Sequence, residues 1–341
     1  MQIRLIGKAN GVGLSRDINL LKAALSASGC DVLELPCDRR ERKRRRSLLT
    51  RVATRVRGLQ RPNRIVKCDV NVMLEHVWPQ FLHEARLNVL VPNPEWFDRR
   101  DAALLRRIDR VWAKTKLTQE IFTARGCRTR LIGFDSEDRL QAEVVRLPKF
   151  FHLGGRSELK GTARLLTLWQ RHPEWPHLTV VQDAAHVTST HRVTADNITF
   201  ESRYLDDATL RTMQNSHRFH LCLSEAEGWG HYIAEALSVG ALTLTCDAAP
   251  MNELVSAERG VLVAARRGGQ HNLAQLAFFN DDALEAAVGY SRSLPPERLE
   301  QIGVAARQWF LNNKHAFPAK IQHAVSELTS ELTSELRRAG S

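Results

Sequence analysis

The feature that most restricts the fold of this chain is an alternation, carried out twice, of short apolar runs with helical patterns. In the first round, "IRLIG" (3–7) reads as a strand and 19–27 as a helix with Leu20, Leu21, Ala24 and Leu25 on one face. "DVLELP" (31–36), "DVNVMLE" (69–75), "ARLNVLVP" (85–92), "RVWAKT" (110–115) and "CRTRLIGF" (127–134) read as further strands. The pattern then restarts with "KFFHLGG" (149–155), a helix over 162–170 and "LTVVQD" (178–183). "NITFES" (197–202), "FHLCLS" (219–224) and "ALTLTC" (241–246) complete it. Continuously apolar strands separated by helices belong to parallel sheets covered on both faces. Two such rounds in 341 residues predict an α/β chain of two Rossmann-like, doubly wound domains facing across a cleft, with ligands at the carboxyl ends of the strands. The expected domains are 1–148, 149–313 and a C-terminal helix and tail over 314–341, with a hinge at 149–152. The end of the chain reads as a helix over 295–313 and another from Pro318 to about 336. The tail repeat "SELTSELTSELR" (326–337) gives a thin leucine stripe, expected to be solvated or loosely docked.

Hydrophobic residues at 43% and charged residues at 26% are ordinary for a soluble globular protein. No apolar run is long enough to cross a membrane, and "MQIRLIGKANGVG" reads as a strand entering a glycine loop instead of a signal peptide. Six cysteines without C-x-x-C spacing, mostly in or beside apolar runs, fit a reduced cytoplasmic protein better than disulfides or zinc.

The net charge of +11 is concentrated. Segment 39–67 holds thirteen Lys or Arg against the single acid Glu41, a surplus that by itself exceeds that of the whole chain. After "RRERKRRR" (39–46), Leu48, Leu49, Val52, Val56 and Leu59 recur at helical spacing, with Arg51, Arg55 and Arg57 between them. Arg42, Lys43, Arg44, Arg45, Arg46, Arg51 and Arg55 are therefore candidates for binding a polyanion, either an anionic membrane surface or DNA. The plainer alternative is a solvated arginine face that aids solubility.

Two stretches carry chemistry. "LGGRSELKGTARLL" (153–166) places Arg156 and Lys160 four residues apart, between glycines, at a strand end and before a helix. That arrangement suits a diphosphate: Arg grips oxygens in a fork and Lys supplies a mobile point charge. "SEAEGWGHYIAEALSVGALTLT" (224–245) sets Glu227 and Glu235 eight apart around Gly228, Trp229 and Gly230, with a helix over 232–237. Glycines there permit close approach of a ligand, and a helix start offers N–H groups to an anion. Ionised carboxylates facing a pocket can hold pairs of sugar hydroxyls. The alternative is a loop glutamate and a solvated helix glutamate.

Together, G-R-x-x-x-K-G and E-G-W-G-x-x-x-x-E-A-L-x-x-G resemble the retaining nucleotide-sugar glycosyltransferases of the GT-B fold, family 4 type (glycosyl transferases group 1). "NGVGLSRDINLLKAALSASGCDV" (10–32) is similar to that family's first loop, helix and second strand. The resemblance spans most of the chain, is strong over 149–263 and is weak over 38–68. It implies that Arg156 and Lys160 bind the donor diphosphate, Glu227 holds the donor sugar, and amides around Gly228, Trp229, Gly230 and His231 approach sugar and phosphate. It further implies that Glu235 accepts from the ribose hydroxyls, that "FESRYL" (200–205), with Arg203 and Tyr204, lies by the nucleobase, and that Gly11 and Gly13 face the donor. The histidine usual after an N-terminal-domain strand is missing: "VPNPEWF" (91–97) has Asn93 and Glu95 in its place, and His76 is the nearest histidine. Asn93, Glu95 and His76 are the acceptor-side catalytic candidates, while Trp78, Trp96 and Trp112 are expected in the core.

Glycosyl transfer builds positive charge on the sugar and negative charge on the departing diphosphate, and fixed cations answer the latter. With Arg and Lys in that role and no D-x-D after an apolar strand, the expected enzyme needs no metal or cofactor beyond its nucleotide-sugar substrate. The acceptor implied by the resemblance is an envelope glycan or glycolipid, with the enzyme peripheral on the inner membrane face; no stable protein partner is expected. A hydroxymethylated base in DNA is the alternative acceptor, and a non-catalytic nucleotide-sugar or polyanion-binding module the alternative class.

Overall fold

The computed structural model describes residues 1–8, 13–37, 66–186 and 195–339. Gly11 and the basic candidates Arg42, Lys43, Arg44, Arg45, Arg46, Arg51 and Arg55 lie outside them. The chain forms two compact units, Met1–Phe134 with His315–Ser341, and Asp135–Lys314.

In the first unit the order is β1 (Gln2–Gly7), α1 (Gly13–Ala27), β2 (Asp31–Pro36), β3 (Cys68–Glu75), β4 (Ala85–Pro92), α2 (Arg99–Ala102), β5 (Arg110–Ala113), α3 (Lys116–Thr123) and β6 (Thr129–Leu131). The strands pair in parallel in the order β2-β1-β3-β4-β5-β6. Val70, Val72, Met73 and Leu74 of β3 and Val89, Leu90 and Val91 of β4 are all buried, as the continuous apolar runs require of a sheet covered on both faces. Helix α1 begins at Gly13, six residues before the expected start at 19. Leu14, Ile18, Leu21 and Leu25 form its buried stripe at helical spacing, with Asp17 buried among them. The early turn was hidden because Ser15, Arg16 and Asp17 interrupt the apolar pattern.

The second unit contains β7 (Leu147–Gly155), α4 (Thr162–Gln170), β8 (Leu178–Gln182), β9 (Ile198–Glu201), α5 (Asp207–Ser216), β10 (His217–Cys222), α6 (His231–Ser238), β11 (Leu242–Cys246), α7 (Met251–Leu254) and β12 (Gly260–Val263). The hairpin β13 (Ala265–His271) and β14 (Ala274–Phe279), α8 (Asp281–Ser293) and α9 (Pro296–Ala339) follow. The main sheet is parallel, ordered β12-β11-β10-β7-β8-β9. From β7 the chain builds outward through β8 and β9, then returns to place β10, β11 and β12 on the other side. The strand order therefore reverses between β7 and β10, the position where doubly wound sheets open a crevice at their carboxyl edge. Residues 149–152, expected as a hinge, lie inside β7 with Phe150, Phe151 and His152 buried.

The expected break at Pro318 does not occur. Helix α9 runs through it for 44 residues, His315 onward belonging to the first unit. Phe310, Phe317 and Ile321 are buried on either side of the proline, and that packing offsets the hydrogen bond it removes. The tail is likewise not loosely docked. Leu328 and Leu332 are buried, Glu331 pairs with Arg110 at 2.5 Å and Arg128 at 3.3 Å, and Glu327 pairs with Arg130 at 2.6 Å. The repeat puts its glutamates beside basic residues of the strands, a match that appears only once the strands are assembled. All six cysteines are free thiols. Among the described residues no helix is long and apolar enough to cross a membrane.

Candidate functional site

The loops after β7 and β10 leave the second sheet on the two sides of its switch point. A backbone bond from Glu225 N–H to the Leu159 carbonyl, 2.8 Å, ties them together. Gly161 makes the approach possible: its φ is +69°, and a Cβ there would stand 2.7 Å from the Leu223 carbonyl oxygen.

This closure brings Lys160 onto Glu227. The Lys160 ammonium donates to Glu227 Oε1, and Ser224 Oγ donates to the same oxygen at 2.5 Å. Lys160 Nζ also lies 3.6 Å from the centroid of the Tyr232 ring, and the Tyr232 hydroxyl bonds Ser224 Oγ. Burial pushes the Tyr232 phenol well above its usual value, so it stays protonated beneath the lysine. Behind the loop, His152 accepts from Thr162 Oγ at 2.9 Å and donates to the Leu221 carbonyl at 2.8 Å. Burial lowers its pKa to about 4, so it is a neutral strut between the two strands.

Arg156 stands farther out, half-exposed, with its Nε donating to Asp183 at 2.8 Å. Arg203 pairs with Glu201 at 3.0 Å, and Tyr204 is 87% exposed beyond the end of β9.

Gly230, at φ +96°, is the N-cap of α6 and contributes no side-chain cap. The adjacent residues are held by Ser136, which is fully buried. Trp229 Nε1 donates to Ser136 Oγ at 3.1 Å, and His231 Nδ1 bonds the same oxygen at 2.8 Å. Gly228 is buried in the loop. Glu235 is buried too, its Oε2 accepting from Gln214 Nε2 at 2.8 Å, so the solvated-glutamate alternative does not hold for it.

In the first unit, Gly13 opens α1. His76 directly follows β3 and is buried, its Nδ1 2.8 Å from Asp101 Oδ2, while Asp101 Oδ1 accepts from Val77 N–H. Asn93 follows the neighbouring strand β4 and accepts from Lys114 Nζ at 2.9 Å. Lys114 also pairs with the buried Asp17 of α1 and lies 4.6 Å from the Phe134 ring centroid. Glu95 is buried in the turn after Asn93. Trp78 and Trp112 are core residues as expected, but Trp96 is 38% exposed because the turn directs it outward.

Sequence reading missed Ser136, Asp183, Gln214, Tyr232, Asp17 and Lys114. Lys114 alone carried a signal, a lysine at the end of an otherwise apolar strand pattern.

No family model matches the chain, and no curated protein matches its sequence. Solved structures do. HepE of Anabaena, solved with UDP and glucose, superposes with a TM-score of 0.66 at 16% identity, covering 97% of this chain and 100% of its own. The sucrose-phosphate synthase of Thermosynechococcus elongatus gives 0.70 at 14% identity, covering 97% and 99%. A glycosyltransferase of Rickettsia africae gives 0.67 at 14% identity, covering 96% and 98%. At near-complete coverage, with two parallel six-stranded sheets, the fold is GT-B.

Proposed function

We propose that this protein is a glycosyltransferase that moves a sugar, with retention, from a nucleoside-diphosphate sugar to a hydroxyl acceptor. The observation that carries this reading is the meeting of Lys160 and Glu227 at the switch point of the second sheet. A cation for the diphosphate and a carboxylate for the sugar stand next to each other, as the two ends of one donor require. The structural neighbour HepE was solved with UDP and glucose, which favours a UDP-sugar here.

In the proposed reaction the donor diphosphate takes Lys160 from Glu227, and Arg156 adds a second cation from the half-exposed side. Glu227 then accepts from sugar hydroxyls, its Oε1 still held by Ser224. The anomeric carbon–oxygen bond to the phosphate breaks, a bond to the acceptor oxygen forms, and the acceptor proton passes to the departing phosphate. Retention places attack and departure on one face of the ring, which keeps that proton beside the phosphate oxygen. Lys160, Arg156 and the amides at the start of α6 stabilise the charge on the leaving group, so the step needs no divalent ion. Glu235 holds the ribose hydroxyls, and Tyr204 and Arg203 border the base. Asn93, Glu95 and His76 serve the acceptor side. The acceptor we favour is an envelope glycan or glycolipid, approached on an anionic membrane face through the arginines of 39–46.

Titration calorimetry with UDP-, GDP-, ADP- and TDP-sugars tests the donor, followed by acceptor assays with whichever binds. One donor binding with micromolar affinity or better, and tenfold or more weaker to Arg156→Ala, is the expected result (a change of about 1.4 kcal/mol). Binding of none, or equal binding by wild type, Arg156→Ala and Lys160→Ala, defeats the reading.

A further inference from the structure

Two residues outside both motifs converge on Glu235. Arg139 lies in the connection before β7 and Gln214 in the last turn of α5, and they are 2% and 1% exposed against 3% for Glu235. Arg139 Nε donates to Gln214 Oε1 at 2.9 Å, and Gln214 Nε2 donates to Glu235 Oε2 at 2.8 Å. The direction of this chain is forced. A guanidinium has donors only, so the amide oxygen of Gln214 faces Arg139 and its nitrogen faces Glu235.

Arg139 is itself fixed from several sides. Its Nη1 donates to Asp207 Oδ1 at 2.7 Å, and its carbonyl accepts from Asn215 Nδ2 at 2.8 Å and Arg211 Nε at 3.1 Å. Its backbone N–H donates to Ser238 Oγ at 3.1 Å, and that hydroxyl donates to the Glu235 carbonyl at 2.7 Å. The same residue thus braces Glu235 through the side chain and through the backbone of α6. So much bonding at a buried arginine and amide exceeds what helix packing alone demands, since an apolar pair would fill the space without desolvation cost.

We propose that Arg139 and Gln214 are positioning residues that aim the Glu235 carboxylate at the ribose hydroxyls of the donor nucleotide. The inference rests on the ribose role given to Glu235 above. Gln214 removes the rotamer freedom that a lone carboxylate would have, so the ribose meets an acceptor already in place.

The test compares binding of UDP, GDP and ADP with that of their 2′,3′-dideoxy forms, by calorimetry, in wild type, Gln214→Leu and Gln214→Glu. Gln214→Glu keeps size and the bond to Arg139 but sets acceptor against acceptor at Glu235, which makes it the informative variant should Gln214→Leu fail to fold. Wild type is expected to prefer one ribonucleotide over its dideoxy form by about tenfold or more, the scale of hydrogen bonds to a charged group. Both variants are expected to bring that preference to within about twofold of unity, while affinity for the dideoxy form changes little. Variants that weaken both forms equally and keep the preference overturn the positioning role and leave Glu235 as the ribose contact. A wild type without any preference overturns the ribose role of Glu235, and the positioning role with it.

Discussion

Lys160 and Glu227, 67 residues apart in sequence, form an ion pair at the junction of the β7 and β10 loops. The two groups that the proposed function assigns to opposite ends of the donor thus stand against each other. Under that proposal, donor binding exchanges this contact for one with phosphate on one side and sugar on the other.

This exchange separates the two residues experimentally. Lys160→Ala is expected to weaken nucleoside-diphosphate binding by about 1.5–3 kcal/mol, the scale of a lost charge-assisted contact. Glu227→Gln is expected to do the reverse for the bare nucleotide, binding it as tightly as wild type or a few-fold tighter, because Lys160 is released. Its turnover with saturating donor is expected to fall at least about tenfold, through lost transition-state contacts to the sugar. Calorimetry with the nucleotide and steady-state rates check both; parallel losses of nucleotide affinity would contradict the assignment.

Ser136 Oγ accepts from Trp229 Nε1 and shares a hydrogen bond with His231 Nδ1. Ser136→Ala removes the oxygen that aligns these rings at the start of α6, and is expected to cost about 1–3 kcal/mol of stability, as for other buried polar contacts. Turnover should fall more than nucleotide affinity does. A melting temperature and rate equal to wild type would show that the loop holds its shape without this hydroxyl.

Acid should destabilise the protein through buried histidines. Burial lowers His152 to about 4 and His220 to about 3, against an ordinary value of 6.5. Well above 6.5 both the folded and the unfolded chain keep them neutral, so their contribution to stability is constant there. As the pH falls below that, the unfolded chain takes up protons that the folded one refuses. Each histidine then removes up to about 1.4 kcal/mol per pH unit, until its folded pKa is reached. Urea midpoints between pH 7.5 and 5 check this, with His220→Gln expected to flatten the slope.

The docked tail should contribute to stability through its leucines more than through its ion pairs. Leu328→Ala is expected to cost about 2–5 kcal/mol, as for other buried leucines. Glu331→Gln, at a partly exposed pair of arginine contacts, should cost less than about 1 kcal/mol. Chemical denaturation of the two variants ranks them; equal costs would mean that the tail is held by charge.

The two parallel sheets were legible in the amino-acid sequence, because the apolar runs of β3, β4, β10 and β11 are local facts about which backbone can bury every side chain. The sequence also marked the glycine loops around Arg156, Lys160 and Glu227, since Gly155, Gly161 and Gly230 adopt positive φ there. What it left undecided were partners. The Lys160–Glu227 pair, the Ser136 oxygen shared by Trp229 and His231, and the Arg139–Gln214–Glu235 chain each join segments that meet only after β10 inserts beside β7. The tail shows the same limit: its glutamates look solvated until β5 and β6 set Arg110, Arg128 and Arg130 beside them. Periodicity is a property of neighbours along the chain, whereas ion pairs and buried hydrogen bonds depend on strand order, and only the assembled sheets supply it.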